Sequence, residues 1–148
     1  MHWNHERKCL RVFQNYHKHS YYTNPVISDS IVSNEDYAKR ASELGHGLIS
    51  IMEHGWCGRY IEGYELAQKY GLKFIQGAEL YWVKDRFAKD RTNCHIYVGA
   101  LNENGRRALN SIASESCITG YYYQPRVDLE LLMQLPPEDV IVTSACVA

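Results

Sequence analysis

The chain has 148 residues, of which 45% are hydrophobic and 22% charged, the ordinary composition of one folded globular domain. Its 12 tyrosines and net charge of −1 exclude a mainly disordered chain, which needs few aromatic residues and a large net charge. The near-zero charge also excludes a strongly basic nucleic-acid-binding domain, so contact with nucleic acid would require a local patch. No stretch approaches the ~18 apolar residues of a membrane span, and residues 1–8 lack the apolar core of a signal peptide.

In chain order, the predicted elements are strand 12–19, helix 35–44, strand 47–52, helix 59–70, strands 73–83 and 94–101, helix 104–118, short helix 128–135 and strand 139–143. Ser33 is a good N-cap for the first helix, and Gly45 and Gly71 end the first two helices. A turn-rich loop is expected over residues 20–33 and a charged loop over residues 84–92.

Apolar strands that alternate with helices favour parallel pairing with right-handed crossovers. The chain shows no internal repeat, low-complexity tract or linker. The pattern therefore predicts a single α/β domain over residues 1–148.

The five cysteines are an odd number, are widely scattered and include no Cys-x-x-Cys pair. This argues against a disulfide framework and against a structural zinc knuckle. A reducing, cytoplasmic setting is the simplest expectation.

Side chains that commonly bind metals recur along the predicted strands, mostly near the strands' C-terminal ends. They are His17 and His19 in the first strand, His54 after the second, Glu79 in the third, His95 in the fourth and Cys146 just after the fifth. In parallel α/β folds this edge is where reacting groups gather. A mixture of imidazole and carboxylate suits zinc, manganese or iron, so the placement predicts a metal site.

Each of these residues also has an ordinary structural interpretation. His17 and His19 point to the same side of a strand, roughly 6.6 Å apart, but could be two surface histidines. His54 could be a turn histidine and His95 a hydrogen-bonded core histidine. Glu79 stands in an apolar strand, where a carboxylate is costly unless a metal or a basic group pairs with it.

Two further features have a structural and a functional interpretation. The three tyrosines at 121–123 could stack nucleobases, although a cluster that covers a core edge is the simpler interpretation. Arg106, Arg107 and the basic residues of loop 84–92 are typical of solvated faces but could contact phosphate.

Several short motifs, taken in order, resemble a known family. They are His17-Lys18-His19-Ser20, Glu53-His54-Gly55, Gly77-Ala78-Glu79 and the segments 94–100 and 142–148. Over residues 12–148 the chain resembles the PHP (polymerase and histidinol phosphatase) domain that opens the DNA polymerase III alpha subunit of bacterial and phage C-family replicative polymerases. Segment 29–41 fits the polymerase branch better than the phosphatase branch.

The resemblance implies a TIM-like PHP fold, a distorted (β/α)7 barrel with parallel strands and up to three divalent ions, zinc or manganese, at the strands' C-terminal face. His17 and His19 would hold one ion, and Glu79 would bridge it to a second ion held also by His95. Asp29 and His54 would belong to a third, and Glu79, His17 and His19 would be catalytic. In active members this cluster hydrolyses phosphoesters, and in polymerases it is linked to 3′–5′ exonuclease proofreading or pyrophosphate cleavage.

The chain departs from the family pattern in three places. Asp29 lies ten positions after His19, Cys146 stands where metal-replete members carry a histidine, and the chain ends before a final Asp-x-His motif. The expectation is therefore an incomplete barrel, an N-terminal PHP domain truncated at its C-terminus. Cys146 would either serve as the substitute ligand, as a thiolate, or leave the second site weak.

The expected partners are the remainder of the polymerase chain or a second polymerase fragment, and DNA, with no membrane. Two other functions stay open: a non-catalytic structural scaffold of the polymerase and a stand-alone phosphoesterase of the histidinol-phosphatase kind. Tightly bound metal would distinguish the enzyme from the scaffold. A preference for single-stranded DNA ends over small phosphomonoesters would distinguish the polymerase domain from the stand-alone phosphoesterase.

Overall fold

The computed structural model describes residues 13–146. A 3-10 turn at Tyr21–Thr23 precedes helix α1 (Asn34–Glu43), strand β1 (Leu48–His54), helix α2 (Tyr60–Tyr70), strands β2 (Lys73–Trp82) and β3 (Cys94–Ala100), helix α3 (Glu103–Ile118), strand β4 (Arg126–Val127), helix α4 (Leu129–Leu132) and strand β5 (Val140–Ser144). The α/β class is as predicted, and the first three helices lie where expected. The helix predicted over residues 128–135 is shorter. No helix within residues 13–146 is long and apolar enough to cross a membrane.

Local sequence signals define the helix ends. Ser33 and Asp36 form a capping box at the start of α1, in which each side chain accepts a hydrogen bond from the other residue's backbone amide. At the end of α2, Gly71 has a φ of 67°, a left-handed conformation that costs glycine little. The side chain of Asn102 accepts a 3.0 Å hydrogen bond from the Gly105 amide and so begins α3.

The five strands form one open sheet in the order β1-β2-β3-β5, and β4 pairs with the end of β2. Strands β1 and β4 run parallel to β2, whereas β3 is antiparallel to both β2 and β5. The expectation of uniformly parallel strands is therefore wrong for β3. No helix lies between β2 and β3, and a connection without a crossover favours antiparallel pairing. Within residues 13–146 the outer edges of β1 and β5 have no strand partner, as in an incomplete barrel.

The predicted first strand is also corrected. Residues 13–20 belong to neither a helix nor a strand, and Val12 lies outside the described residues. Polar side chains hold this segment instead of a strand ladder. Ser20 donates its amide and its hydroxyl to the buried carboxylate of Glu53, and the Ser50 hydroxyl donates to the Tyr16 carbonyl at 2.5 Å.

The two faces of the sheet differ in chemistry because β2 side chains alternate between them. Ala78 and Leu80 join one buried apolar cluster with Leu109 and Ile112 of α3. A second apolar cluster packs α1 and α2 around Ile49 of β1. Glu79 belongs to the opposite face of the sheet, towards which the segment 13–20 carries its histidines.

Candidate metal centre

The predicted ligands meet at one end of the sheet because of how the strands run. His54 ends β1 and is in register with Glu79 of β2. His95 is near the start of β3, and the antiparallel direction of β3 brings that start to the same end, opposite Tyr81. Cys146 follows the end of β5, which is parallel to β2. The segment 13–20 delivers His17 and His19 from outside the sheet.

Glu79 lies at the centre of this group with none of its surface exposed. Its Oε2 atom lies 2.5 Å from Nε2 of His17 and 2.8 Å from Nε2 of His19. Its Oε1 atom lies 3.0 Å from Nδ1 of His95 and accepts a 3.3 Å hydrogen bond from the Cys146 thiol. The two oxygens of one carboxylate therefore face two different sets of possible ligands.

A further group forms around Asp29. Its Oδ2 atom lies 3.2 Å from Nε2 of His54 and 3.9 Å from Nε2 of His19. The rings of His19 and His54 stack with their centroids 4.2 Å apart. Asp29 is held in the loop by Asn24, whose Oδ1 accepts a 3.0 Å hydrogen bond from the Asp29 amide.

These contacts define three overlapping groups. Within each group the ligand atoms all lie within 4.8 Å of one another. The groups are His17, His19 and Glu79; His19, Asp29 and His54; and His54, Glu79 and His95. Imidazole nitrogens and carboxylate oxygens that converge at this spacing fit zinc or manganese, and the Cys146 thiol adds a softer ligand. All seven predicted ligands are thus brought together, and their binding of metal stays a prediction.

The close packing of acid and imidazoles shifts their protonation. Burial opposes ionisation of Glu79, but hydrogen bonds from His17, His19 and His95 outweigh it and hold the pKa of the carboxyl well below its usual range. Burial likewise disfavours the charged form of His19, yet Glu79 raises the pKa of this histidine. Burial, together with the nearby His19, lowers the pKa of His54. A strongly acidic carboxylate surrounded by imidazoles is suited to bind cations.

Two buried groups, Lys18 and Thr23, hold the backbone near the histidines of the cluster. Lys18, between the two histidines, is buried and donates a 3.2 Å hydrogen bond to the Ser50 hydroxyl. Burial lowers the pKa of Lys18 to about 8. The backbone amide of His54 donates to the Thr23 hydroxyl, which is also fully buried. These contacts orient His17, His19 and His54 although residues 13–20 form no strand.

Tyr81 is a site residue that sequence reasoning missed. It lies on the same face of β2 as Glu79, two residues further on, and its ring centroid is 4.8 Å from that of His95. Burial, together with the nearby Glu79, raises the pKa of Tyr81 to about 12, so the hydroxyl keeps its proton near neutral pH. The period-two pattern of Gly77, Glu79 and Tyr81 was the available signal.

A family model described as the PHP domain matches residues 15–148. The DNA polymerase III subunit alpha of Treponema pallidum (strain Nichols) is 34% identical over 142 residues, which are 92% of this chain and 12% of that protein. The same subunit from Borreliella burgdorferi (strain ATCC 35210 / DSM 4680 / CIP 102532 / B31) is 32% identical over 141 residues, 91% of this chain and 12% of that protein. The chain therefore spans about an eighth of the length of these relatives.

Among solved structures, a crystal structure of a protein from Bifidobacterium adolescentis ATCC 15703, provisionally described as a metal-dependent phosphoesterase, is similar with a TM-score of 0.48 and 20% identity. The likeness covers 68% of this chain and 32% of that protein. The family match extends over most of the chain and includes all seven residues that meet at the end of the sheet. The chain belongs to the PHP domain family.

Proposed function

We propose that this chain is the PHP portion of a DNA polymerase III alpha subunit, and that it hydrolyses phosphoesters with bound divalent metal ions. One observation carries the proposal: the two oxygens of the buried Glu79 face His17 and His19 on one side and His95 and Cys146 on the other. A carboxylate in this position can bridge two ions. The resemblance to polymerase subunits over about 90% of the chain supports the assignment to a longer replicative polymerase.

In this proposal His17 and His19 would hold one ion, and His95 and Cys146 a second, with Glu79 shared between the two sites. Asp29 and His54 would contribute to a third site. When bound, such ions lower the pKa of a water molecule and neutralise phosphoryl oxygens. The chain itself positions the ligands. Buried Glu53 and Lys18 stabilise the segment that carries His17 and His19, so the two imidazoles face Glu79 before any ion arrives. The finer proposal is 3′–5′ exonuclease activity on a single-stranded DNA end.

A non-catalytic scaffold of the polymerase is the second candidate, and Cys146 is the observation that favours it. The family resemblance leads us to expect a histidine at this position, and a thiol changes the affinity and the preference of the second site. A scaffold would keep the fold and the ligand cluster but would not turn over a phosphoester.

The test compares metal content and hydrolysis in three proteins: the wild type, Glu79→Gln and the control Glu65→Gln. Glu65 is an exposed carboxylate on α2 and belongs to none of the three ligand groups. Elemental analysis should find at least two equivalents of zinc or manganese in the wild type and the control. Glu79→Gln should lose more than one equivalent while its circular dichroism spectrum is unchanged. Equal metal in all three proteins would overturn the shared site.

Hydrolysis is then measured on a 3′-labelled single-stranded oligonucleotide and on bis(4-nitrophenyl) phosphate. We expect manganese- or zinc-dependent release of nucleotides by the wild type and the Glu65→Gln control, with a loss of at least 100-fold in Glu79→Gln, in the range seen when an essential catalytic group is removed. Full metal content without hydrolysis of either substrate would favour the scaffold instead.

A further inference from the structure

A cavity of about 250 Å³ opens beside the metal centre. Tyr81 and His95 form the wall that it shares with the metal centre, and Tyr122, Tyr123 and Arg91 line it further out. A molecule in this cavity would therefore lie next to any group bound at the metal cluster. Its volume suits a ligand fragment with one ring rather than a protein segment.

The outer wall is aromatic and carries a cation. The rings of Tyr122 and Tyr123 pack edge to face with centroids 4.9 Å apart. The guanidinium carbon of Arg91 lies 4.3 Å from the centre of the Tyr123 ring. Tyr121 and Tyr123 are 65% and 60% exposed, so these two rings do not cover a core edge as the sequence analysis favoured. An exposed ring next to a guanidinium offers stacking surfaces for a planar group.

A buried arginine holds both parts of this wall in place. Arg126, only 2% exposed, donates hydrogen bonds to the carbonyls of Ala88 and Asp90 in the loop that carries Arg91, at 2.8 Å each. It also donates a 2.8 Å hydrogen bond to the carbonyl of Gly120, which directly precedes the three tyrosines at 121–123. The backbone next to Arg91 and the backbone before the tyrosines are thus both held by the Arg126 side chain.

Tyr123 has a φ of 63°, a left-handed conformation that a bulky residue rarely adopts. Such a conformation costs of order 1 kcal/mol and is found preferentially at functional positions. At residue 123 it accompanies a largely exposed ring, so burial of that ring does not offset the cost.

The inner wall contains a polar group that has no partner. The hydroxyl of Tyr81 is buried and makes no hydrogen bond with any residue in the described range 13–146. A buried hydroxyl without a partner is costly, so a ligand that supplies one is favoured. This observation is independent of the exposed aromatic wall.

We propose that the cavity is a binding subsite for the planar ring of a nucleotide, either free or at the end of a strand. The nucleobase stacks on Tyr123 and the Arg91 guanidinium, and the Tyr81 hydroxyl hydrogen-bonds the ligand. The attached phosphate lies at the metal centre, and for this last point alone the inference rests on the proposed function. Tyr123 and Arg91 then determine a preference for nucleotides over phosphoesters without a ring.

Isothermal titration calorimetry with two non-hydrolysed ligands tests this subsite. The methylenephosphonate analogue of thymidine 5′-monophosphate, in which CH2 replaces the ester oxygen, carries the ring. The same analogue of 2-deoxyribose 5-phosphate has the same sugar and phosphonate without the ring, and neither has an ester bond to cleave. The wild-type protein, loaded with manganese, should bind the first roughly tenfold more tightly, which is the scale of stacking one base. Tyr123→Ala should remove this preference and Tyr123→Phe should keep it, whereas Tyr81→Phe should weaken nucleotide binding roughly fivefold.

Tyr121→Ala is the matched control, because Tyr121 is an equally exposed neighbour that does not line the cavity. Its affinities should equal those of the wild type. Equal affinity of the wild type for the two ligands, or an equal loss in Tyr121→Ala and Tyr123→Ala, would overturn the subsite. Because binding is measured without turnover, a protein that prefers the nucleotide but hydrolyses nothing contradicts the proposed function alone. Tighter binding of a tetrathymidylate with cleavage-resistant phosphorothioate linkages than of the mononucleotide analogue would assign the ring to a strand end, and equal binding would assign it to a free nucleotide.

Discussion

The Sγ atom of Cys146 lies 2.9 Å from Nδ1 of His95, across the pair formed by β3 and β5. Both atoms also contact Oε1 of Glu79. Burial, together with Glu79, raises the pKa of the Cys146 thiol. One side of the cluster therefore combines imidazole, carboxylate and a thiol that must lose its proton to bind a metal.

We predict that Cys146 biases the second site towards zinc, because a thiolate is a softer ligand than imidazole or carboxylate. Cys146→His should increase the manganese-to-zinc ratio that the protein retains from an equimolar mixture, and Cys146→Ser should lower zinc content. Elemental analysis after gel filtration measures both. The exposed Cys94, replaced by serine, is the control. An unchanged ratio in Cys146→His would show that Cys146 does not bind metal.

Gly55, directly after His54, should tolerate no side chain. It has a φ of 76°, and an added Cβ would lie 2.8 Å from Cγ of Pro125 and 3.2 Å from the Tyr81 ring. Gly71 has a similar φ of 67° but open space around it. Gly71→Ala should therefore cost about 1 kcal/mol of unfolding free energy from backbone strain alone, and Gly55→Ala clearly more. Urea denaturation of both variants gives the difference, and equal losses would contradict the close packing at Gly55.

Lys18 should make the stability of the metal-free protein depend on pH. Its pKa is about 8 in the folded protein because of burial, whereas an unfolded lysine titrates near ~10.4. Between these values the unfolded chain binds more protons, so the free energy of unfolding should rise as the pH increases from about 8 to about 10. Lys18→Met should reduce this rise, and Lys39→Met, on exposed α1 surface, should not. Denaturation at pH values across the window measures it; identical slopes in all proteins would be incompatible with a buried, strained ammonium.

Asp128 should be essential for the loop that carries Arg91. Its carboxylate accepts hydrogen bonds of 2.7 and 2.9 Å from the buried Arg86 guanidinium and caps α4 at the Leu131 amide. Asp128→Ala leaves Arg86 with only the exposed Glu130 as an acidic partner within residues 13–146, and should cost about 3 kcal/mol. Glu130→Ala, which removes a mostly exposed partner, should cost less than about 1 kcal/mol. Thermal denaturation compares the stability losses of the two variants. A larger loss in Glu130→Ala than in Asp128→Ala would contradict the role of Asp128 as the main partner of Arg86.

The sequence predicted the composition of the site better than its topology. Alternation and apolar runs placed Glu79 and His54 near the ends of buried strands, where the parallel pair β1 and β2 brings them into register. His95 reaches the same place for a different reason: β3 runs antiparallel, and its start rather than its end lies there. The available signal was the connection before residues 94–100: loop 84–92 contains no helix, and a connection without a crossover favours antiparallel pairing.

The histidine-bearing segment shows a second limit. The sequence predicted a strand over Val12 to His19, but it does not show whether the backbone pairs with a sheet edge or is held by side chains. Here the buried Glu53 and Ser50 hold the segment through Ser20 and Tyr16. Glu53 stood next to His54 in the sequence without any sign that it would anchor a distant backbone.

The left-handed backbone at Tyr123 implies a conflict between the stability of the fold and the proposed binding of a ring. Glycine would adopt this conformation without steric cost, so selection for a more robust fold alone would favour replacing the tyrosine. The same replacement would delete the aromatic surface that faces the cavity beside His95. Thermostabilising redesign of this domain should therefore leave position 123 unaltered, even though glycine would relieve the backbone strain there.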